Sequence, residues 1–151
     1  SKKNVLLVNF DPLEYSDLLY EPYGTSKRPL KEQRNDNFLQ MKGNEVFKVA
    51  VKTLESIAKD SLKEVNMTSE DIDWFIPHQA NIRIIQAVSK RLNIPEKKVI
   101  ISLTDHGNTS AASIPLALDQ SIREGKIKTG DTVLLQSFGA GFTWGTVIIK
   151  I

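Results

Sequence analysis

The chain has 151 residues, 40% of them hydrophobic and 25% charged, which is enough apolar material for the core of one domain spanning 1–151. Twenty Lys and Arg against 18 Asp and Glu leave a net charge of +2, too balanced for a general nucleic-acid or membrane-surface binder. With no cysteine and only two histidines, a disulfide scaffold, a thiolate metal site, a thiol nucleophile on this chain and a multi-His metal centre are all excluded. No apolar run approaches the roughly 20 residues needed to cross a bilayer. The opening Ser1–Val8 has too short an apolar core and no cleavage site for a signal peptide, so the expected compartment is the cytoplasm.

In chain order, Val5–Phe10 is an apolar run rich in β-formers that Asp11-Pro12 ends, and it reads as a buried strand. From Asp11 to Gly43 periodicity is lost. Pro12, Pro22, Gly24 and Pro29 and the polar run KRPLKEQRNDN make this a long surface loop. Asn44 is placed to cap a helix reaching about Val65, with Val46, Phe47, Ala50, Leu54, Ile57, Ala58 and Leu62 on its inner face. Asp71–Ile76 is a second strand, closed by Pro77. Asn81–Leu92 is a second helix with Ile82, Ile85, Val88 and Leu92 as its inner stripe, and Val99–Leu103 is a third strand.

A third helix starts at Thr109 or Ser110, tolerates Pro115 in its first turn and ends before Gly125. Thr132–Ser137 and Phe142–Ile149 are two final strands joined by the tight turn Phe138–Gly141. The order β-α-β-α-β-α-β-β predicts an α/β fold, with a parallel sheet covered on both faces and closed by one antiparallel hairpin.

Three segments concentrate chemistry where strands give way to turns or helices, the usual location of sites in open α/β sheets. In Pro77-His78-Gln79-Ala80-Asn81, His78 precedes a helix N-terminus, whose dipole favours a neutral imidazole able to donate a hydrogen bond to an oxyanion. A lone structural histidine is the commoner explanation of such a residue. In His106-Gly107-Asn108-Thr109-Ser110-Ala111-Ala112-Ser113, helix capping alone accounts for the pattern. Asn108 could equally be an amide donor aimed at the same space as His78, and Ala111, Ala112 and Ser113 allow close backbone approach.

The third segment, Ser137–Gly145 (SFGAGFTWG), is either a plain glycine-rich hairpin or a turn that lets a backbone N–H such as that of Ala140 face a ligand carbonyl. No G-x-S-x-G elbow supports a serine hydrolase. Arg83 and Lys90 lie on one helix face with Arg91 beside them, and Lys48 is a weaker companion. Such a stripe is either solvated or docks an acidic partner or phosphates.

The stretches GNEVFKVAV (43–51), WFIPHQANIRII (74–85), DHGNTSAASIPLALD (105–119) and SFGAGFTWG (137–145) resemble the β-ketoacyl-acyl carrier protein synthase III family of the thiolase superfamily, in its order and spacing. The resemblance implies a thiolase-like fold in which this chain is the C-terminal β-α-β-α-β-α-β-β half of a five-layered αβαβα architecture. The N-terminal half, with its nucleophilic Cys, would be missing.

It implies an acyltransferase that condenses an acyl-CoA, commonly acetyl-CoA, with malonyl-acyl carrier protein to initiate fatty acid synthesis, without metal or other cofactor. This chain alone would be inactive in condensation. It implies His78 and Asn108 as catalytic residues and the Ala140 N–H as an oxyanion donor, with alanine where the family usually has glycine. Gly43, Asn44 and Asn81 fall at positions near the pantetheine arm of coenzyme A, and Lys48, Arg83, Lys90 and Arg91 at the carrier-protein docking face. The implied partners are acyl carrier protein, acyl-CoA, the missing half and a second copy in a homodimer, with no nucleic acid and no membrane. His106 receives no catalytic role. The competing readings are another thiolase-superfamily condensing enzyme, of polyketide or quinolone type, and a non-catalytic carrier-protein or coenzyme A binding module.

Overall fold

The computed structural model describes residues 5–12, 17–20 and 38–151. Strand β1 (Val5–Pro12) is followed by the two-residue strands β2 (Leu19–Tyr20) and β3 (Gln40–Met41), which pair antiparallel with each other. Then come helix α1 (Gly43–Glu64), strand β4 (Trp74–Pro77) and helix α2 (Ile82–Arg91). The short helix α3 (Leu103–His106), helix α4 (Ser113–Arg123) and strands β5 (Thr132–Gly139) and β6 (Thr143–Lys150) complete the fold. Most of the expected long loop, including Pro22, Gly24, Pro29 and KRPLKEQRNDN, lies outside the described residues.

The main sheet has the order β1-β6-β5-β4. The closing β5–β6 hairpin is antiparallel as expected and β4–β5 is parallel, but the expectation that the remaining strands run parallel is corrected: β1 joins β6 antiparallel. The expected third strand, Val99–Leu103, reduces to one parallel bridge between Val99 and Phe75, after which the chain turns into α3.

The expectation that both sheet faces are covered holds, and strand alternation produces it. Phe75 and Leu134 point to one face, where they join Ala50, Leu54 and Ala58 of α1 and Ile84 and Val88 of α2. Their neighbours Ile76 and Val133 point to the other face and meet Ala117 with Ile114 and Leu118 of α4. β1 is an edge strand rather than a buried one: Val5 and Val8 are exposed and Leu7 is half-buried.

Three helix details differ from the sequence pattern. Asn44 does not cap α1; Lys42 occupies the cap position without a side-chain bond, and Asn44 lies exposed in the first turn. On α2 the inner stripe is Ile84, Ile85, Val88 and Leu92, whereas Ile82 faces outward. The last helix begins as a 3-10 turn at Ser110–Ala112 and becomes α-helical at Ser113, leaving Pro115 in its first turn. Gly125 follows its end with φ +71°, the left-handed conformation a C′ glycine supplies.

Candidate active site

β4 delivers His78 to the carboxyl end of the sheet. Its backbone N–H continues the parallel ladder by donating to the Gln136 carbonyl at 2.7 Å, so the residue leaves the strand in a fixed direction. The turn that follows is locked from inside by Gln79, which is fully buried. Its amide nitrogen donates to the carbonyls of Pro77 (2.7 Å) and Ile100 (3.2 Å). Its Oε1 accepts from the N–H groups of Ser102 (2.9 Å) and Leu103 (3.1 Å). One side chain thus ties the His78 turn to the start of α3. Asn81 then caps α2, its Oδ1 accepting from the Arg83 N–H at 2.9 Å.

α3 ends at Gly107, whose φ of +67° turns the chain outward into Asn108. Asn108 Oδ1 accepts from the Ser110 N–H at 3.0 Å. Only an oxygen can accept there, so the amide orientation is fixed and Nδ2 is left without a partner among the described residues.

His78 and Asn108 line one open cavity of about 460 Å³ together with Ser110, Ala111, Ser137–Gly139 and Thr143–Gly145. The His78 ring is half-buried. Its Nδ1 lies 2.6 Å from Ser113 Oγ, and the Phe138 ring stands edge-on to it with centroids 6.3 Å apart. Burial holds its pKa below the ordinary 6.5, which keeps the imidazole neutral at physiological pH. Phe138 in turn meets the buried Phe142 edge-on, fixing the wall behind the histidine. The arrangement offers two polar side chains beside the apolar wall of an open cavity, where hydrogen-bond donors can meet negative charge developing on a bound oxygen.

The other expected site residues lie outside this cavity. Ala140 is exposed at the β5–β6 turn, one residue beyond the lining residue Gly139. Gly43 and Asn44 are exposed at the start of α1 and Asn81 at the start of α2. His106 is exposed at the end of α3 and does not line the cavity.

Of the basic residues, Lys48, Arg83 and Lys90 are exposed, and the Arg83 guanidinium sits 5.7 Å over the Phe47 ring, linking α2 to α1. Arg91 is different: it pairs with Glu55 at 2.7 Å, and Glu55 also holds Lys59, so its charge is largely answered within the fold. Two residues with a structural claim on the site, Gln79 and Ser113, stand inside the sequence motifs but carry no sequence signal of their burial. Among the described residues no group of three or more His, Asp or Glu is placed to hold a metal ion, and no helix is long and apolar enough to cross a membrane.

Residues 62–151 match the family model described as 3-oxoacyl-[acyl-carrier-protein (ACP)] synthase III C terminal. The chain belongs to this family. A β-ketoacyl-[acyl-carrier-protein] synthase III from Vesicomyosocius okutanii is 58% identical over 113 residues, covering 75% of this chain and 36% of the relative. The crystal structure of 3-oxoacyl-[acyl-carrier-protein] synthase III from Aquifex aeolicus VF5 is 38% identical, with a TM-score of 0.86 over 100% of this chain and 46% of that one. The priming β-ketosynthase of the R1128 polyketide pathway is 31% identical, with a TM-score of 0.89 over 98% of this chain and 45% of its own. The chain therefore spans less than half the length of these relatives. The synthase III match and the mixed α/β sheet agree with the expected thiolase-like fold class.

Proposed function

We propose that this domain is the C-terminal half of a condensing enzyme that joins an acyl-CoA, commonly acetyl-CoA, to malonyl-acyl carrier protein at the start of fatty acid synthesis. The observation that carries the reading is the shared cavity of His78 and Asn108, each with one polar end anchored and the other unpaired among the described residues.

A cysteine thiolate from the N-terminal half takes the acyl group and releases coenzyme A. Malonyl-acyl carrier protein loses CO₂, and the electron pair of the broken C–C bond is held as an enolate on the thioester oxygen. His78 and Asn108 donate to that oxygen. The enolate carbon attacks the acyl-cysteine carbonyl, the tetrahedral oxyanion rests on the N–H of Ala140 and of the cysteine, and its collapse expels the thiolate to leave a 3-oxoacyl product.

Gly43, Asn44 and Asn81, exposed at the starts of α1 and α2, would flank the pantetheine arm. Lys48, Arg83 and Lys90 would receive the acidic carrier protein, with Arg91 contributing less because of Glu55. The exposed Leu116 and Ile122 on α4 suit a helix covered by the other half, and we place the assembled enzyme in the cytoplasm as a homodimer.

In the full-length enzyme, His78→Ala and Asn108→Ala should each slow malonyl-carrier-protein decarboxylation by about 10²–10³, with little change in thermal midpoint. Near-normal turnover in both variants would remove the mechanism. The polyketide priming relative favours a second reading in which the same chemistry primes a polyketide. A preference for longer or branched acyl-CoA primers, with a polyketide-type carrier protein as acceptor, would select it.

A further inference from the structure

The His78 ring has one anchored nitrogen and one free one. Nδ1 lies 2.6 Å from Ser113 Oγ, whereas Nε2 makes no hydrogen bond among the described residues, in a side chain that lines the cavity. Which nitrogen carries the proton decides whether the imidazole offers that cavity a donor or an acceptor.

Ser113 opens α4 and is only 2% exposed, so its hydroxyl must be satisfied inside the protein. Its oxygen is already engaged: the buried Gln79 N–H donates to it at 3.3 Å and has no other acceptor among the described residues. Among the described residues, the acceptor left for the hydroxyl hydrogen is His78 Nδ1. A proton on Nδ1 would make the Ser113 oxygen accept twice and leave its own hydrogen buried without a partner.

We propose that Ser113 is a positioning residue that keeps the ring proton of His78 on Nε2, so that the imidazole presents a hydrogen-bond donor to the cavity. The inference deepens the function proposed above and rests on His78 acting as an oxyanion donor. The relay Gln79 N–H to Ser113 Oγ to His78 Nδ1 joins the β4 turn to the first residue of α4. It fixes ring orientation and tautomer together.

The test uses the full-length enzyme with ¹⁵N-labelled histidine, the His78 signals being identified by their loss in His78→Ala. The neutral ring should show a protonated Nε2 and an unprotonated, hydrogen-bonded Nδ1. In Ser113→Ala the two nitrogens should move toward the averaged shifts of an unrestrained imidazole. Decarboxylation should slow about tenfold, less than loss of the whole donor, with KM for malonyl-carrier protein unchanged.

A protonated Nδ1 in the unaltered enzyme overturns the proposal without any variant having to fold. A Ser113→Ala ring that keeps the unaltered spectrum overturns it as well. An Nε2-protonated His78 that proves dispensable for decarboxylation would support the Ser113 assignment while overturning the proposed function, so the two failures are distinguishable.

Discussion

Replacing Gln79 with leucine tests whether the site is held by its buried amide. Gln79 has no solvent exposure, and its four hydrogen bonds reach Pro77, Ile100, Ser102 and Leu103. Leucine fills nearly the same volume, so the substitution removes hydrogen bonds with little cavity penalty. It strands two carbonyls and two N–H groups. Leaving one buried polar group unpaired costs about 1–3 kcal/mol, and the half-buried Leu103 N–H can recover water, so the loss should be on the order of 4 kcal/mol. That is a large share of the roughly 5–15 kcal/mol by which domains are usually stable.

The local assay is amide hydrogen exchange in the full-length protein. Protection of the Ser102 and Leu103 amides should fall by about 10³, the equivalent of that free energy. Decarboxylation should fall with it, because the segment carrying Asn108 is no longer tied to the His78 turn. Protection within a factor of about five of the unaltered protein, or about 1 kcal/mol, would refute the account of Gln79 as the tie between the two donors.

Two further outcomes follow from the charges. Arg83→Glu should weaken use of the carrier protein in a salt-sensitive manner while acylation by acyl-CoA survives; equal loss of both reactions would argue against a docking role. Burial lowers the His78 pKa from 6.5, so on acidification the unfolded chain takes up this proton before the folded one does. Folding stability should therefore be unaffected by this group above pH 6.5 and decline as the pH falls below it. His78→Gln should make that acid decline in thermal midpoint shallower, and parallel curves for the two proteins would contradict the burial argument.

Much of this fold is legible in the sequence where one face of an element is buried. Ala50, Leu54, Ile57, Ala58 and Leu62 stand at helical spacing because α1 lies on the sheet, and the β5–β6 hairpin is announced by its glycines. His78 and Asn108 line one cavity, a placement the sequence offered for Asn108 only beside the plainer reading of a helix cap.

What was not readable depends on partners distant in sequence. Val99–Leu103 has the composition of a strand, but Gln79 Oε1 captures the Ser102 and Leu103 N–H groups and turns the chain away from the ladder. β1 has the composition of a buried strand, yet it lies on the sheet edge, where Val5 and Val8 have no covering element among the described residues. A hydrophobic run states that a surface wants covering, not whether this segment of chain supplies the cover.

His78 and Asn108 share a construction that local sequence cannot express. Asn108 spends its oxygen on the Ser110 N–H, and His78 engages Nδ1 with Ser113. Each is a bifunctional side chain with one end bonded to a residue of the 3-10 turn or of α4 and the other end left for the cavity. Donors held this way need not reorganise as charge develops on a bound oxygen, which is the condition under which they lower a barrier most. The basic residues follow the opposite logic. Lys48, Arg83 and Lys90 make no ion pair among the described residues and lie exposed, Arg83 over the Phe47 ring. Arg91, paired with Glu55, is closer to a structural brace between α2 and α1. α2 thus buries Ile84, Ile85 and Val88 against the core and leaves Arg83 and Lys90 exposed to solvent.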